Sequence, residues 1–177
     1  MSEQSEIQGS LLLVGYGNTS RRDDGVAAHI LKGLLSRLGL NAVEIGGEDD
    51  VDPRPGLKVL FLHQLSPELA ELAAGYETVV FIDAHVAGSG WEPLSWQPVV
   101  PVVEAGMVGH HLKPGVVIAL AERLYGHRPA AFLLSVLGHD FDFGEVLSSE
   151  TARLAEQAID RLTGLVAALG PTSVDGR

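Results

Sequence analysis

LLLVGYGNTSRRDDGV, residues Leu11 to Val26, joins an apolar run, a glycine turn and two adjacent carboxylates in one connection. Four consecutive apolar residues, Leu11 to Val14, have the pattern of a strand buried on both faces, and Gly15 and Gly17 let the backbone turn sharply after it. Beyond the turn, Ala27, Ala28, Ile30, Leu31, Leu34, Leu35 and Leu38 recur at the helical period of about 3.6 residues, which predicts a helix. Asp23 and Asp24 therefore fall where the chain leaves the strand end and enters the first helical turn.

The same alternation continues downstream. Ala42 to Ile45 is expected to form a short second strand and Leu57 to Leu62 a third, with the acidic GGEDDVDPRPG segment, residues 46–56, as an exposed loop between them. Ser66 has the character of an N-cap, with Pro67 at the first helical position and Glu68 in the first turn of a helix through Leu69, Leu72 and Ala73. Thr78 to Ile82 is a fourth apolar run, and it stops at Asp83. From Ala84 to Val108, glycines and prolines break the pattern, and Leu94 to Val103 reads as an edge strand or extended arm. His110 and His111 precede a helix opened by Pro114; Ala131 to Leu137 is the last strand, a final helix runs from about Ser148 to Leu169, and the tail from 170 to 177 is expected to fray. Strands alternating with helices imply βαβ units and a mostly parallel sheet covered on both faces. In such sheets the loops at the carboxyl ends of the strands line the ligand crevice, which places Asp83 and the Asn18–Asp24 loop on one edge.

At 177 residues and 46% hydrophobic content the chain is expected to form one domain, with a core over about residues 10–169 and flexible termini. No apolar run approaches a membrane span, and the polar, acidic start MSEQSEIQGS lacks the character of a signal peptide, so a cytoplasmic location is expected. The net charge of -11 disfavours a nucleic-acid partner and is compatible with a cationic peptide or a metal-bearing protein surface. With no cysteine, any metal must be held by oxygen and imidazole.

Taken singly, the chemistry-bearing residues have plain structural readings. Acids in a first helical turn favour the helix dipole or cap it, Asp83 suits a turn, and a histidine pair in a loop is commonly a surface feature. Together they form a mixed oxygen and nitrogen set on one sheet edge: a carboxylate after strand one, another ending strand four, and a histidine at a helix entrance. Such a set suits nickel, zinc, iron or manganese, and a metal there could polarise a peptide carbonyl or acidify a bound water. Three rival readings find little support. LLLVGYGN begins like a dinucleotide fingerprint, but the third glycine is missing and RRDD would set two carboxylates against a diphosphate. Thr19 and Ser20 supply only a fragment of a flavin phosphate loop, and Gly88-Ser89-Gly90 lacks the spacing of a nucleophile elbow.

Four ordered motifs, VGYGNTSRRDDGV, HQLSPELAE followed by VVFIDA, HHLKPGVVIALAERLYG, and LSSE before the terminal helix, resemble the [NiFe]-hydrogenase maturation proteases. These are endopeptidases that remove a C-terminal extension from the hydrogenase large-subunit precursor, and the resemblance runs from about Leu11 to Leu162. It implies a single maturation protease domain of α/β class: a three-layer α/β/α arrangement with a twisted, mostly parallel sheet flanked by helices, of the phosphorylase/hydrolase-like kind. It also implies that the metal-ligating and catalytic set is Asp24, Asp83 and His110, in preference to His111, with Asp23 a structural acid. The metal implied is nickel carried in by the precursor, with zinc or another divalent ion as the other candidate, and the protein is expected to be a monomer. The GGEDDVDPRPG loop departs from the G-G-T-x-G type of many relatives, which bears on substrate choice. Two other functions use the same cleft: a non-catalytic module that holds a metal or metallated peptide as a chaperone, and a metal-dependent amidohydrolase acting on small molecules.

Overall fold

The computed structural model describes residues 9–40, 50–103 and 112–169. The expected strand at Ala42 to Ile45, the histidines His110 and His111, and the tail from 170 to 177 lie outside these ranges. The elements are β1 (Leu11–Tyr16), a 3-10 turn (Arg22–Gly25), α1 (Val26–Arg37), β2 (Asp50–Arg54), β3 (Leu57–Leu62), α2 (Leu69–Ala74), β4 (Thr78–His85), β5 (Leu94–Pro98), α3 (Pro114–Tyr125), β6 (Ala130–Leu137) and α4 (Ser149–Ala168).

One six-stranded sheet has the order β2-β3-β1-β4-β6-β5. Its four central strands are parallel, and β2 and β5 pair antiparallel at the two edges. Because β1 and β4 lie in the middle, both of their faces are buried, which is why they read as unbroken apolar runs. Leu11, Leu13, Val80 and Ile82 point to the layer of α1 and α4, and Leu12, Val14, Val79 and Phe81 to the layer of α2 and α3. The result is the expected three-layer α/β/α architecture with a mostly parallel sheet. No described helix is long and apolar enough to cross a membrane.

Two local expectations are corrected. Residues 50–54 of the acidic segment are a strand, not loop: Lys58 on β3 reaches across to Asp50 at 2.7 Å and to Asp52 at 3.1 Å, and the register shifts between Val51 and Arg54 to absorb Pro53 at the edge. Helix α2 begins at Leu69, and no side chain caps it; Ser66 and Pro67 instead offer backbone carbonyls to Leu69 and Ala70 in a preceding turn. The arm after β4 is the expected edge strand over Leu94–Pro98, continued by Val99 N–H on the Ala131 carbonyl at 2.8 Å, and then crosses to the start of α3, where Val102 N–H donates to Gly115 C=O at 3.1 Å.

Candidate active site

The turn after β1 is closed by Gly17. It sits at φ +143°, and a Cβ there would lie 2.1 Å from the Asp24 carbonyl oxygen, so the loop can fold back on itself only with glycine at this position. Within the loop, Asn18 N–H donates to Asp24 Oδ2 at 3.0 Å and Ser20 N–H to Asn18 Oδ1 at 2.9 Å. Arg22, at φ +38°, is the one non-glycine residue with positive φ among those described. From there the 3-10 turn advances successive side chains by about 120°. The neighbouring carboxylates accordingly diverge, Asp23 into the protein and Asp24 toward the sheet edge.

Asp23 neither caps the helix nor simply complements its dipole. It is 0% exposed and accepts hydrogen bonds from Ser148 N–H and Oγ at 2.7 Å each, His139 N–H at 2.8 Å, Asp140 N–H at 2.9 Å and Thr151 Oγ1 at 2.9 Å. Burial by itself would raise this carboxyl, but the Ser148 hydroxyl and the three backbone donors overcome it and hold the group down at about 2. Asp23 thus fastens the strand-one loop to the segment between β6 and α4.

Asp24 and Asp83 line one open cleft of about 310 Å³ at the carboxyl ends of β1, β3 and β4, with Tyr16, Gly17, His63 and Lys113 among the other walls. Burial pushes the Asp83 carboxyl up to about 6; hydrogen bonds from Ala84 N–H, at 2.7 Å, and from the Tyr16 hydroxyl pull it down, and the Asp24 charge adds to the rise. The Tyr16 phenol is itself driven far above the ordinary tyrosine range by burial and by the Asp83 charge, so it remains a hydrogen-bond donor at any physiological pH. Tyr16→Phe is therefore expected to move the Asp83 titration to higher pH, read by carbon-13 NMR of the carboxyl. An unmoved midpoint would show that the hydroxyl does nothing for Asp83.

Of the expected site residues, Asp24 and Asp83 are brought together, while His110 lies outside the described residues. No group of three or more histidine or carboxylate side chains close enough to hold a metal occurs among the described residues. Three side chains near the site escaped the sequence reading. Tyr16, between two glycines of the turn, is the last residue of β1 and sits at the crevice edge. His63 follows the last residue of β3 and lines the cleft. His85, two residues after Asp83 on β4, is buried with Nδ1 2.8 Å from Ser135 Oγ and its ring edge-on to Trp91 at 5.4 Å; burial depresses its pKa and keeps it neutral.

No family model matches this chain, and no curated protein matches it. Solved structures do. A [NiFe] hydrogenase maturation protease HycI from Thermococcus kodakarensis KOD1 aligns with a TM-score of 0.63 at 17% identity, over 90% of this chain and 94% of the other. The hydrogenase maturating endopeptidase HybD from E. coli aligns at 0.64 and 17% identity, over 89% and 92%. HybD from Thermococcus kodakarensis aligns at 0.54 and 21% identity, over 88% and 98%. Across nearly its full length, the chain has the fold of the [NiFe]-hydrogenase maturation proteases.

Proposed function

We propose that this protein is an endopeptidase that removes the C-terminal extension of a [NiFe]-hydrogenase large-subunit precursor after nickel insertion, and that it recognises the nickel the precursor carries. The observation that carries the reading is the pair of carboxylates, Asp24 and Asp83, across one open cleft on this fold, with the charge of one raising the pKa of the other. Two facing carboxylates that repel each other are a natural seat for a cation, and oxygen donors suit a divalent ion such as nickel. Asp24 and Asp83 would hold the ion, His110 would supply an imidazole, and His63 is an imidazole that lines the cleft. Bound nickel would supply a docking point that only the metallated precursor offers.

The chain's own groups suit hydrolysis. In the metal-free cleft the Asp83 carboxyl titrates at about 6, and in any turn of the cycle in which the ion is held by the other ligands it is ionised at neutral pH yet basic enough to accept a proton from water. Water oxygen bonds to the scissile carbonyl carbon, the C–N bond breaks, and the proton taken by Asp83 passes to the leaving amine. The Tyr16 hydroxyl and Ala84 N–H fix the carboxylate meanwhile.

Incubating purified protein with precursor tests the reading by intact mass. Shortening of the nickel-loaded precursor and none of the nickel-free form is expected. Equal cleavage of both forms would remove nickel recognition, whereas stoichiometric binding without a mass change would replace the protease by a chaperone. Asp24→Ala is expected to stop processing of the nickel-loaded form; processing at the wild-type rate would take Asp24 out of the site.

A further inference from the structure

The segment between β6 and α4, HDFDFGEVLS at residues 139–148, contains the two most exposed large apolar side chains among the described residues. Phe143 is 87% exposed and Val146 78%. Single apolar residues at a surface are ordinary, but these two lie three residues apart on a loop that the rest of the protein holds firmly. Its ends are tied to Asp23 through His139, Asp140 and Ser148. Its middle is tied by Arg22 N–H to Gly144 C=O at 2.7 Å, by Gly144 N–H to Ser20 C=O at 3.0 Å, by the Arg21 guanidinium to Phe141 C=O at 3.0 and 3.1 Å, and by the Arg22–Asp140 ion pair at 2.7 Å. Phe143 and Val146 are thus presented on a fixed frame, and a frame ordered in advance spares binding the entropy of ordering a loop.

We infer that this loop is a docking edge for the body of the protein substrate, with Phe143 and Val146 seated on an aliphatic surface rimmed by lysine or arginine. The inference rests on the protease reading above for the identity of the partner. The loop lies back to back with the Ser20–Asp24 segment, whose last residue is a wall of the cleft, so a protein feeding a peptide past Asp24 meets this edge one loop-width away. Charge fixes the chemistry of its rim. Asp142 precedes Phe143 and Glu145 precedes Val146; both are exposed and enter no ion pair among the described residues, while the charge of Asp140 is already met by Arg22, and the whole chain carries -11. Shape favours a folded body over an extended peptide. Beside the projecting pair is a hollow of about 390 Å³ whose lining includes Ala28, Lys32, Glu145 and Leu147. A projection next to a hollow matches the relief of a folded surface, and aromatic anchors ringed by polar groups are where binding energy concentrates at such interfaces.

The test uses nickel-loaded large-subunit precursor as probe and the double variant Phe143→Ser/Val146→Ser. Neither side chain is packed, so the melting temperature is expected to stay at the wild-type value. KM for the precursor is expected to rise about tenfold or more while kcat is kept, since the reacting groups are untouched. Asp142→Lys/Glu145→Lys is expected to raise KM as well and to flatten its dependence on salt. Precursor affinity is measured in parallel by calorimetry, with and without the loop substitutions in one Asp83→Asn background, where cutting is too slow to disturb the titration. Variants with wild-type KM and affinity would overturn the docking edge and leave the protease reading standing. Wild-type protein that binds precursor without shortening it would sink the protease reading, and the loop variants would still decide the docking edge by affinity. Wild-type protein that neither binds nor cuts overturns both.

Discussion

Asp83→Asn is expected to reduce processing of the precursor by about 100- to 10,000-fold, the usual contribution of a positioned proton-transfer group, and in the same step to make the protein more resistant to heat at pH 8. The second effect follows from burial. In the folded protein the carboxyl titrates at about 6 against an ordinary 3.8, so folding disfavours its ionised form. At about 1.4 kcal/mol per pH unit, the difference of about 2 units costs up to about 3 kcal/mol once the group is ionised. That cost is absent below pH 3.8, grows as pH rises between the two values and is complete above about 6. Asparagine has no charge to bury, and its Oδ1 accepts from Ala84 N–H as the carboxylate does. A gain of up to about 10 °C in melting temperature is therefore expected at pH 8, and none at pH 3.5. Full activity in the variant would take Asp83 out of the chemistry. An unchanged melting temperature at pH 8 would refute the burial argument independently.

Its counterpart in the frame, Asp23→Ala, is expected to lower stability at pH 7 by about 3–5 kcal/mol, because it strands the backbone donors of His139, Asp140 and Ser148, whereas the Thr151 hydroxyl can turn to the Leu137 carbonyl at 3.0 Å. Here the pH dependence runs the other way. The folded value of about 2 lies below the ordinary 3.8, so the ionised carboxylate stabilises the fold at every pH above 3.8. That contribution, about 2.5 kcal/mol at about 1.4 kcal/mol per unit, is lost as pH falls through 3.8 toward 2. Chemical denaturation of wild type and variant at pH 7 and pH 2.5 should show the gap between them narrowing in acid. A constant gap would mean that the charge of Asp23 is irrelevant and only its shape counts.

These two acids also show what a sequence can disclose. The layers were legible because burial leaves a local trace: β1 and β4 are unbroken apolar runs, and α1 and α4 carry their core residues at helical spacing. That the loops after β1 and β4 share an edge follows from topology alone, so Asp24 and Asp83 could be placed side by side. What could not be read depends on partners far along the chain. Nothing near Asp23 announces that Ser148, 125 residues later, will donate to it. Strand β2 was hidden because its order comes from Lys58 pairing with Asp50 and Asp52 across the ladder, whereas Pro53 within it speaks against a strand. His85 lies in a run whose glycines and prolines signal a loop, and its partner Ser135 sits on another strand.

The bonds between Asp23 and the segment leading into α4 also constrain the order of events during synthesis. A ribosome adding roughly 5–20 residues per second needs on the order of ten seconds to advance from the first partner to the last, and the nascent chain has most of its sheet before Ser148 and Thr151 emerge. Until then the loop bearing Asp24 lacks these ties and is held by its own turn, by β1 and by Gly17 N–H on the Leu62 carbonyl. A nascent or prematurely terminated chain thus has a cleft whose Asp24 wall is unbraced, and the full frame arrives only with the last helix.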